Sequence, residues 1–289
     1  MLNLISAKQH PDFNIVNDPY IEVVNNKDNL VICFGDSWTW GDSLGNAKAR
    51  NRISDIEYRQ QHVYGAKLSK MLDADFVNCA IPGIANHWIH DRLQVLIDFD
   101  ISNLSLKYKN VWLVVTLTEI GRDFEYPSYV DEFKSFSTAT DPNDILIDVE
   151  YLDFKKLNHI QHQLPHNCKL IVGRNFTNSF EQNLNLFPSL NFISENWVSV
   201  LLADQGIDHR VITPMMSFGI SKFDKFMRKQ WLNSNQYREW FNNVLGPAAQ
   251  GQIDLLDQSQ HNQTEDSKHP TEQGHLLWAK HIYSKIKDL

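Results

Sequence analysis

The run Leu30-Val31-Ile32-Cys33-Phe34 stops at Gly35-Asp36-Ser37, and this abrupt change from apolar to polar constrains the fold more than any other stretch. Five apolar residues, two of them β-branched, are too few for a buried helix and suit a strand covered on both faces. The glycine that follows suits a tight strand-to-helix turn, which puts Ser37 at a helix start on the rim of a sheet. Two readings fit a serine there. It is a helix cap, since Asp and Ser are common cap residues, or a nucleophile, since the backbone N–H groups of a helix start favour an oxyanion.

The rest of the chain repeats the strand-then-helix alternation. Strands are expected at Asp75 to Ala80, at Asn110 to Leu117 and at Lys169 to Gly173; the second is nearly all apolar, as in a central parallel strand. Helical spacing is found at Tyr64 to Leu72, along the stripe Trp88-Ile89, Leu93, Leu96-Ile97, at Tyr151 to Leu164, at Ser194 to Gln205 and from Leu276 to the end. The alternation predicts a three-layer α/β/α sandwich around a parallel sheet. We expect an N-terminal arm over residues 1–28, with only Tyr20 to Val24 extended. A single domain over 29–289 follows, carrying an irregular insertion around 124–148 and an amphipathic one around 221–250.

Composition narrows the function classes. With 42% hydrophobic residues and no apolar run of membrane-spanning length, the 289-residue chain reads as a folded, soluble protein without a membrane partner. Acidic residues outnumber basic ones, 35 to 27, for a net charge of −8 without a basic block, which argues against nucleic acid as a partner. Cys33, Cys79 and Cys168 have no metal-ligand spacing and read as small buried hydrophobes in a reducing compartment. The N-terminus lacks a charged and apolar leader, so no signal peptide is expected, and the expected location is cytoplasmic or virion-associated.

Several polar groups fall at strand ends or before a helix. Gly83, in the Pro82-Gly83 turn after the second strand, is suited to positive φ and an exposed N–H. Asp266 lies three residues ahead of His269, just before Pro270 and the last helix. From there it can reach Nδ1 of the imidazole and leave Nε2 free as a base. Thr118 and Arg122 follow the strongest strand. Ser43, in a second Gly-Asp-Ser-Leu, has no strand ahead of it and reads as a loop or cap residue. His159, His162 and His166 lack a completing carboxylate or cysteine and read as solvated, so neither a metal nor an organic cofactor is expected.

Three blocks carry a family resemblance. Gly35-Asp36-Ser37-Trp38-Thr39-Trp40-Gly41 resembles the G-D-S-x-T-x-G opening of the SGNH (GDSL-type) hydrolases. Asn78-Cys79-Ala80-Ile81-Pro82-Gly83 resembles their second block, and Asp266-Ser267-Lys268-His269-Pro270-Thr271 their closing D-x-x-H-P block. The resemblance implies a flavodoxin-like parallel sheet of about five strands. It also implies a Ser37–His269–Asp266 triad, an oxyanion hole using the Ser37 and Gly83 N–H groups, and no cofactor. The family's third block, G-x-N-D, is missing: Thr118 stands where its asparagine would be, with Arg122 one turn on as a charged substitute.

The activity this implies is hydrolysis of a carboxylic ester. Trp38, Trp40, His87 and Trp88 lie near the expected rim, and aromatic faces there suit a sugar, so an O-acetyl ester on a carbohydrate is the expected substrate. Packing is the other reading of the same tryptophans. Two alternatives stand beside the esterase: a weak or inactive carbohydrate-binding or structural protein of the same fold, for example within a larger assembly, and a lipid or thioester hydrolase.

Overall fold

The computed structural model describes residues 21–41, 44, 56–118, 120–139, 142–175, 181–204, 269–287 and 289. Among these residues six strands form one sheet: β1 (Ile21–Val23), β2 (Asn29–Phe34), β3 (Ala74–Asn78), β4 (Asn110–Leu117), β5 (Cys168–Arg174) and β6 (Asn191–Phe192). Their order is β1-β3-β2-β4-β5-β6; only β1 runs antiparallel, against β3, and the other five are parallel. Without β1 the order is that of the flavodoxin-like sheet, in which the connection reverses direction between β2 and β4. Ligands of open α/β sheets bind at such a reversal, beyond the strands' C-terminal ends. Here Phe34 pairs with Val115 and Leu117 with Arg174, so the ends of β2, β4 and β5 lie side by side.

Alternation along each strand splits the core in two. Val31 and Cys33, with Trp112 and Val114, face one layer built from α3 (Tyr64–Met71), α9 (Trp197–Asp204) and α10 (Glu272–Ile286). Leu30, Ile32 and Phe34, with Val111, Leu113 and Val115, face the other, built from α4 (Asn86–Phe99), α5 (Ile101–Lys107) and α7 (Pro142–Gln161). A strand covered on both sides buries every residue, which is why these runs are continuously apolar. The remaining helices are α1 (Ser37–Trp40), α2 (Ile56–His62), α6 (Pro127–Phe136) and α8 (Glu181–Leu186), with a 3-10 turn at Ile120–Glu125. No helix among the described residues is long and apolar enough to cross a membrane.

One detail differs from the sequence reading. The stretch 124–148, expected to be irregular, carries α6 and the first turns of α7; both start at a proline, whose fixed φ suits a first helical position. The segment after β1 is tied to the sheet by Asp75. The Asn25 and Lys27 N–H groups donate to its Oδ1 at 2.7 and 3.2 Å, and the Tyr108 hydroxyl donates to its Oδ2 at 3.0 Å. These donors explain a carboxylate in the middle of a buried strand. The 221–250 segment lies outside the described residues.

Candidate active site

Gly35 has to be glycine. A Cβ there would collide with the Thr39 side chain and stand 3.0 Å from the Thr116 carbonyl oxygen, because α1 folds straight back over the end of β2. Asp36 caps α1, accepting from Trp38 N–H at 3.0 Å, and is completely buried. Two side chains from neighbouring strand ends also donate to it: Asn175 Nδ2 to Oδ1 at 2.8 Å and Thr118 Oγ1 to Oδ2 at 2.7 Å. A carboxylate with three donors is strongly fixed, and Ser37 is the next residue. Ser37 is 9% exposed, and α1 ends on Gly41 at φ 81, whose carbonyl accepts from Arg59 Nε at 3.0 Å.

The loop after β3 lies against this turn. Ile81 N–H donates to the Gly35 carbonyl at 3.0 Å, and Asn78 Nδ2 donates to the Thr39 carbonyl at 2.9 Å while its Oδ1 accepts from Ala80 N–H. Gly83 is exposed, with φ 79 and nothing within 4 Å of where a Cβ would sit. Its glycine is therefore required by the backbone dihedral and not by crowding.

Thr118 does not stand as the sequence suggested. Its hydroxyl proton is directed to Asp36 and its N–H to Asn86 Oδ1 at 2.8 Å, so both of its donors brace the turn in place of facing a third oxyanion position. Arg122 is half-buried in the 3-10 turn.

His269 is half-buried just before α10. Thr271 caps that helix, accepting from Gly274 N–H at 3.3 Å. Glu272 fastens it to α2 and α3 through Lys67 at 3.0 Å, His62 at 2.7 Å and the Tyr58 hydroxyl at 3.1 Å. Burial works to raise the Glu272 carboxyl, and the hydrogen bonds and charges of Lys67 and His62 together outweigh it and hold the group down at about 2. Trp197 joins this helix start to the serine turn: its Nε1 donates to the Gly274 carbonyl at 3.2 Å, and Trp38 packs edge-on to its ring at 5.4 Å. His275, one turn into α10, is a structural residue. It is buried, its Nδ1 accepts from Tyr64 N–H at 3.1 Å, and burial, helped by the Lys67 charge, pushes its pKa down to about 3. Asp266 and Ser43 lie outside the described residues.

The four residues expected to form an aromatic platform lie in different surroundings. Trp38 and Trp40 are 4% and 1% exposed and belong to the core, with Arg59 lying over the Trp40 ring, so protein covers the faces proposed for a sugar. Trp88 is half-buried at the rim beside His87. His87 donates its backbone N–H to Asp123 Oδ1 at 2.8 Å, and its Nδ1 meets the same oxygen at 2.8 Å. Below them, Asn86 Nδ2 donates to Asp153 Oδ2 at 3.1 Å. Asn86, Asp123 and Asn175 were not singled out from sequence. The rule that polar residues at strand C-terminal ends serve the site would have found Asn175, which directly follows β5.

The cysteines and the remaining histidines of the described residues stand apart from the serine turn. Burial pushes the Cys33 thiol up and raises Cys79 and Cys168 to about 11, which leaves them unreactive. His159, His162 and His166 are exposed, and among the described residues no His, Cys, Asp and Glu group is arranged to hold a metal.

No protein-family model matches the chain, and no curated protein matches it. Solved structures do. One is a protein assigned to the G-D-S-L lipolytic family from Desulfitobacterium hafniense, at 12% identity and TM-score 0.39, covering 89% of this chain and 99% of that one. Another is a family two carbohydrate esterase from Clostridium thermocellum in complex with cellohexaose, at 11% identity and TM-score 0.37, covering 91% of this chain and 64% of that one. The likeness is loose, one of strand and helix arrangement.

Proposed function

We propose that the protein is a serine hydrolase acting on carboxylic esters. Ser37 Oγ attacks the ester carbonyl, and His269, oriented by Asp266, takes the proton. The Ser37 and Gly83 N–H groups stabilise the oxyanion of the tetrahedral intermediate, which collapses as His269 passes the proton to the leaving alcohol. Water, activated by His269, then releases the acid. No step calls on a cofactor.

The observation that carries this reading is the anchoring of Asp36. Three donors from α1, β4 and β5 fix the residue before Ser37 at the point where the sheet reverses direction. Binding alone gives no reason to fix one serine this firmly, whereas a nucleophile needs it. With Thr118 committed to Asp36, Arg122 is the residue left to supply a third oxyanion donor. The substrate class we favour is an O-acetyl ester of a carbohydrate, with Trp88 and His87 lining the alcohol side.

The test is labelling with a fluorophosphonate probe. Wild type and Ser43→Ala should label and Ser37→Ala should not; Ser37→Ala should also lower turnover of phenyl acetate about 10⁴-fold or more. A wild type that neither labels nor hydrolyses phenyl acetate overturns the reading in favour of a carbohydrate-binding or structural protein of the same fold. Arg122→Ala should lower kcat about 10²-fold if it is the third donor.

A further inference from the structure

We propose that the cleft between α4, α6 and α7 binds a small organic carboxylate, with the buried His90 imidazole and the exposed Lys155 ammonium as its polar groups. The cleft is built without Ser37, so the inference stands apart from the hydrolase reading.

The inward stripes of the two long helices are apolar: Leu93, Leu96 and Ile97 of α4 and Phe154 and Leu157 of α7 belong to the core. Their facing flanks are different. Leu152, Lys156 and Ile160 of α7, each one turn from the next, line a cleft of about 310 Å³ together with His90 of α4 and Glu132 of α6. That volume is in the range of small-molecule sites. Lys156 ties α7 to α6 through Glu132 at 2.7 Å.

His90 is the group that calls for a ligand. It is 2% exposed, and neither ring nitrogen has a hydrogen-bond partner among the described residues. Asp153 Oδ1 stands 3.8 Å from Nδ1, beyond hydrogen-bond reach. Buried polar groups are nearly always paired, so an imidazole left without partners in the wall of a cleft is completed by a group that enters the cleft. Burial, with the Lys156 charge next, pushes its pKa well down, so the ring offers one N–H donor. The charges decide what that donor meets. Lys156 is matched by Glu132, whereas Lys155, in the same lining, makes no ion pair among the described residues and lies over the Phe136 ring at 5.9 Å. One unmatched ammonium suits a monoanion, and the Asp91 and Glu132 carboxylates beside it disfavour a dianion. A carboxylate accepts from both the imidazole N–H and the ammonium. Leu152 and Ile160, both buried, offer apolar contact to the carbon skeleton that carries it.

The test measures binding of benzoate, benzamide and inorganic phosphate to the full chain by titration calorimetry at neutral pH. Benzoate should bind with a Kd of about 1 mM, and the uncharged amide and phosphate about tenfold more weakly or worse. Lys155→Gln, at an exposed position, should weaken benzoate about tenfold, the worth of one charge-assisted hydrogen bond. His90→Leu should weaken it as much. Because that change removes both unpartnered nitrogens, its thermal unfolding midpoint should be no lower than that of the wild type; if it does not fold, Lys155→Gln carries the test. Ser37→Ala should bind benzoate as the wild type does. Absence of benzoate binding, equal binding of benzamide or phosphate, or unchanged affinity in Lys155→Gln and His90→Leu overturns the proposal. So does loss of binding in Ser37→Ala, which would put benzoate at the serine turn.

Discussion

The two faces of the sheet are packed in different ways. The face under α3, α9 and α10 is aromatic: Trp40, Trp112, Trp197, Trp278 and Tyr64 fill it, and Trp197 alone lies within 5.1–5.6 Å of the Trp38, Tyr64, His275 and Trp278 rings. The face under α4, α5 and α7 is aliphatic toward the strand starts and ionisable at the strand ends. There Asp123, Glu150, Asp153, Arg174 and His90 are all buried. The aromatic face holds its one buried histidine as packing. On the polar face, Arg174 pairs with Glu150 at 3.0 Å and Asp123 accepts from the start of α4, while the His87 imidazole at the rim is partly open. Ser37 stands between a wall that supplies rigidity and a wall that supplies directed polar groups.

Breaking the aromatic wall should cost most. Trp197→Ala removes a fully buried ring with four aromatic neighbours and should destabilise by about 3–5 kcal/mol in urea unfolding. The polar wall should respond less uniformly. Arg174→Met strands Glu150, which Arg174 pairs at 3.0 Å, at a cost of about 3 kcal/mol. The double change Arg174→Met with Glu150→Leu should recover most of that, since an apolar pair of similar size needs no partner. No second substitution should rescue Trp197→Ala in this way. Failure of the double variant to recover would mean that the ion pair, like Trp197, is a packing element.

Titration sharpens the contrast. The folded pKa of His275 is about 3 against 6.5 for a free imidazole, so the unfolded chain takes up that proton first as the pH drops. The stability that neutral His275 contributes is complete above 6.5 and is lost on going down toward 3, by about 1.5 kcal/mol between pH 6.5 and 5. His275→Gln should remove that dependence. Asp153 moves the other way. Burial first, then the Asp123 charge, holds its carboxyl well above the usual range, and burial, then Lys156, keeps His90 well below its own. The two side chains lie 3.8 Å apart, and burial works against charge on both. A protonated Asp153 favours the folded state below the free value of 3.8, and that contribution is lost as the pH rises. Asp153→Asn should be the smallest change, about 1 kcal/mol or less near pH 4. It should gain on the wild type at every step above, in thermal unfolding across the pH range.

The parallel strands were legible because burial on both faces leaves an unmistakable local trace, as in Leu30 to Phe34 and Val111 to Leu117. Gly35 and Gly83 were legible for a similar reason, since close approach and positive φ each call for glycine locally. The helices α6 and α7 were less so: acidic and aromatic residues blur the stripe over 124–148, and only Pro127 and Pro142 marked their starts. Trp38 and Trp40 were misplaced at the rim because sequence distance from Ser37 says nothing about direction. One turn of helix was enough to point both inward.

Local pattern alone determined that the chain would build a parallel α/β sheet and present Ser37 at the end of a central strand. Only the tertiary structure decided which polar groups gather around the turn that carries that serine. Strand order sets Thr118 and Asn175 beside Asp36, 82 and 139 positions away in the chain, and the docking of the 3-10 turn on α4 sets Asp123 beside His87. A hydrogen bond depends on separation and angle in space, and partners so distant in sequence leave no local signal of their meeting.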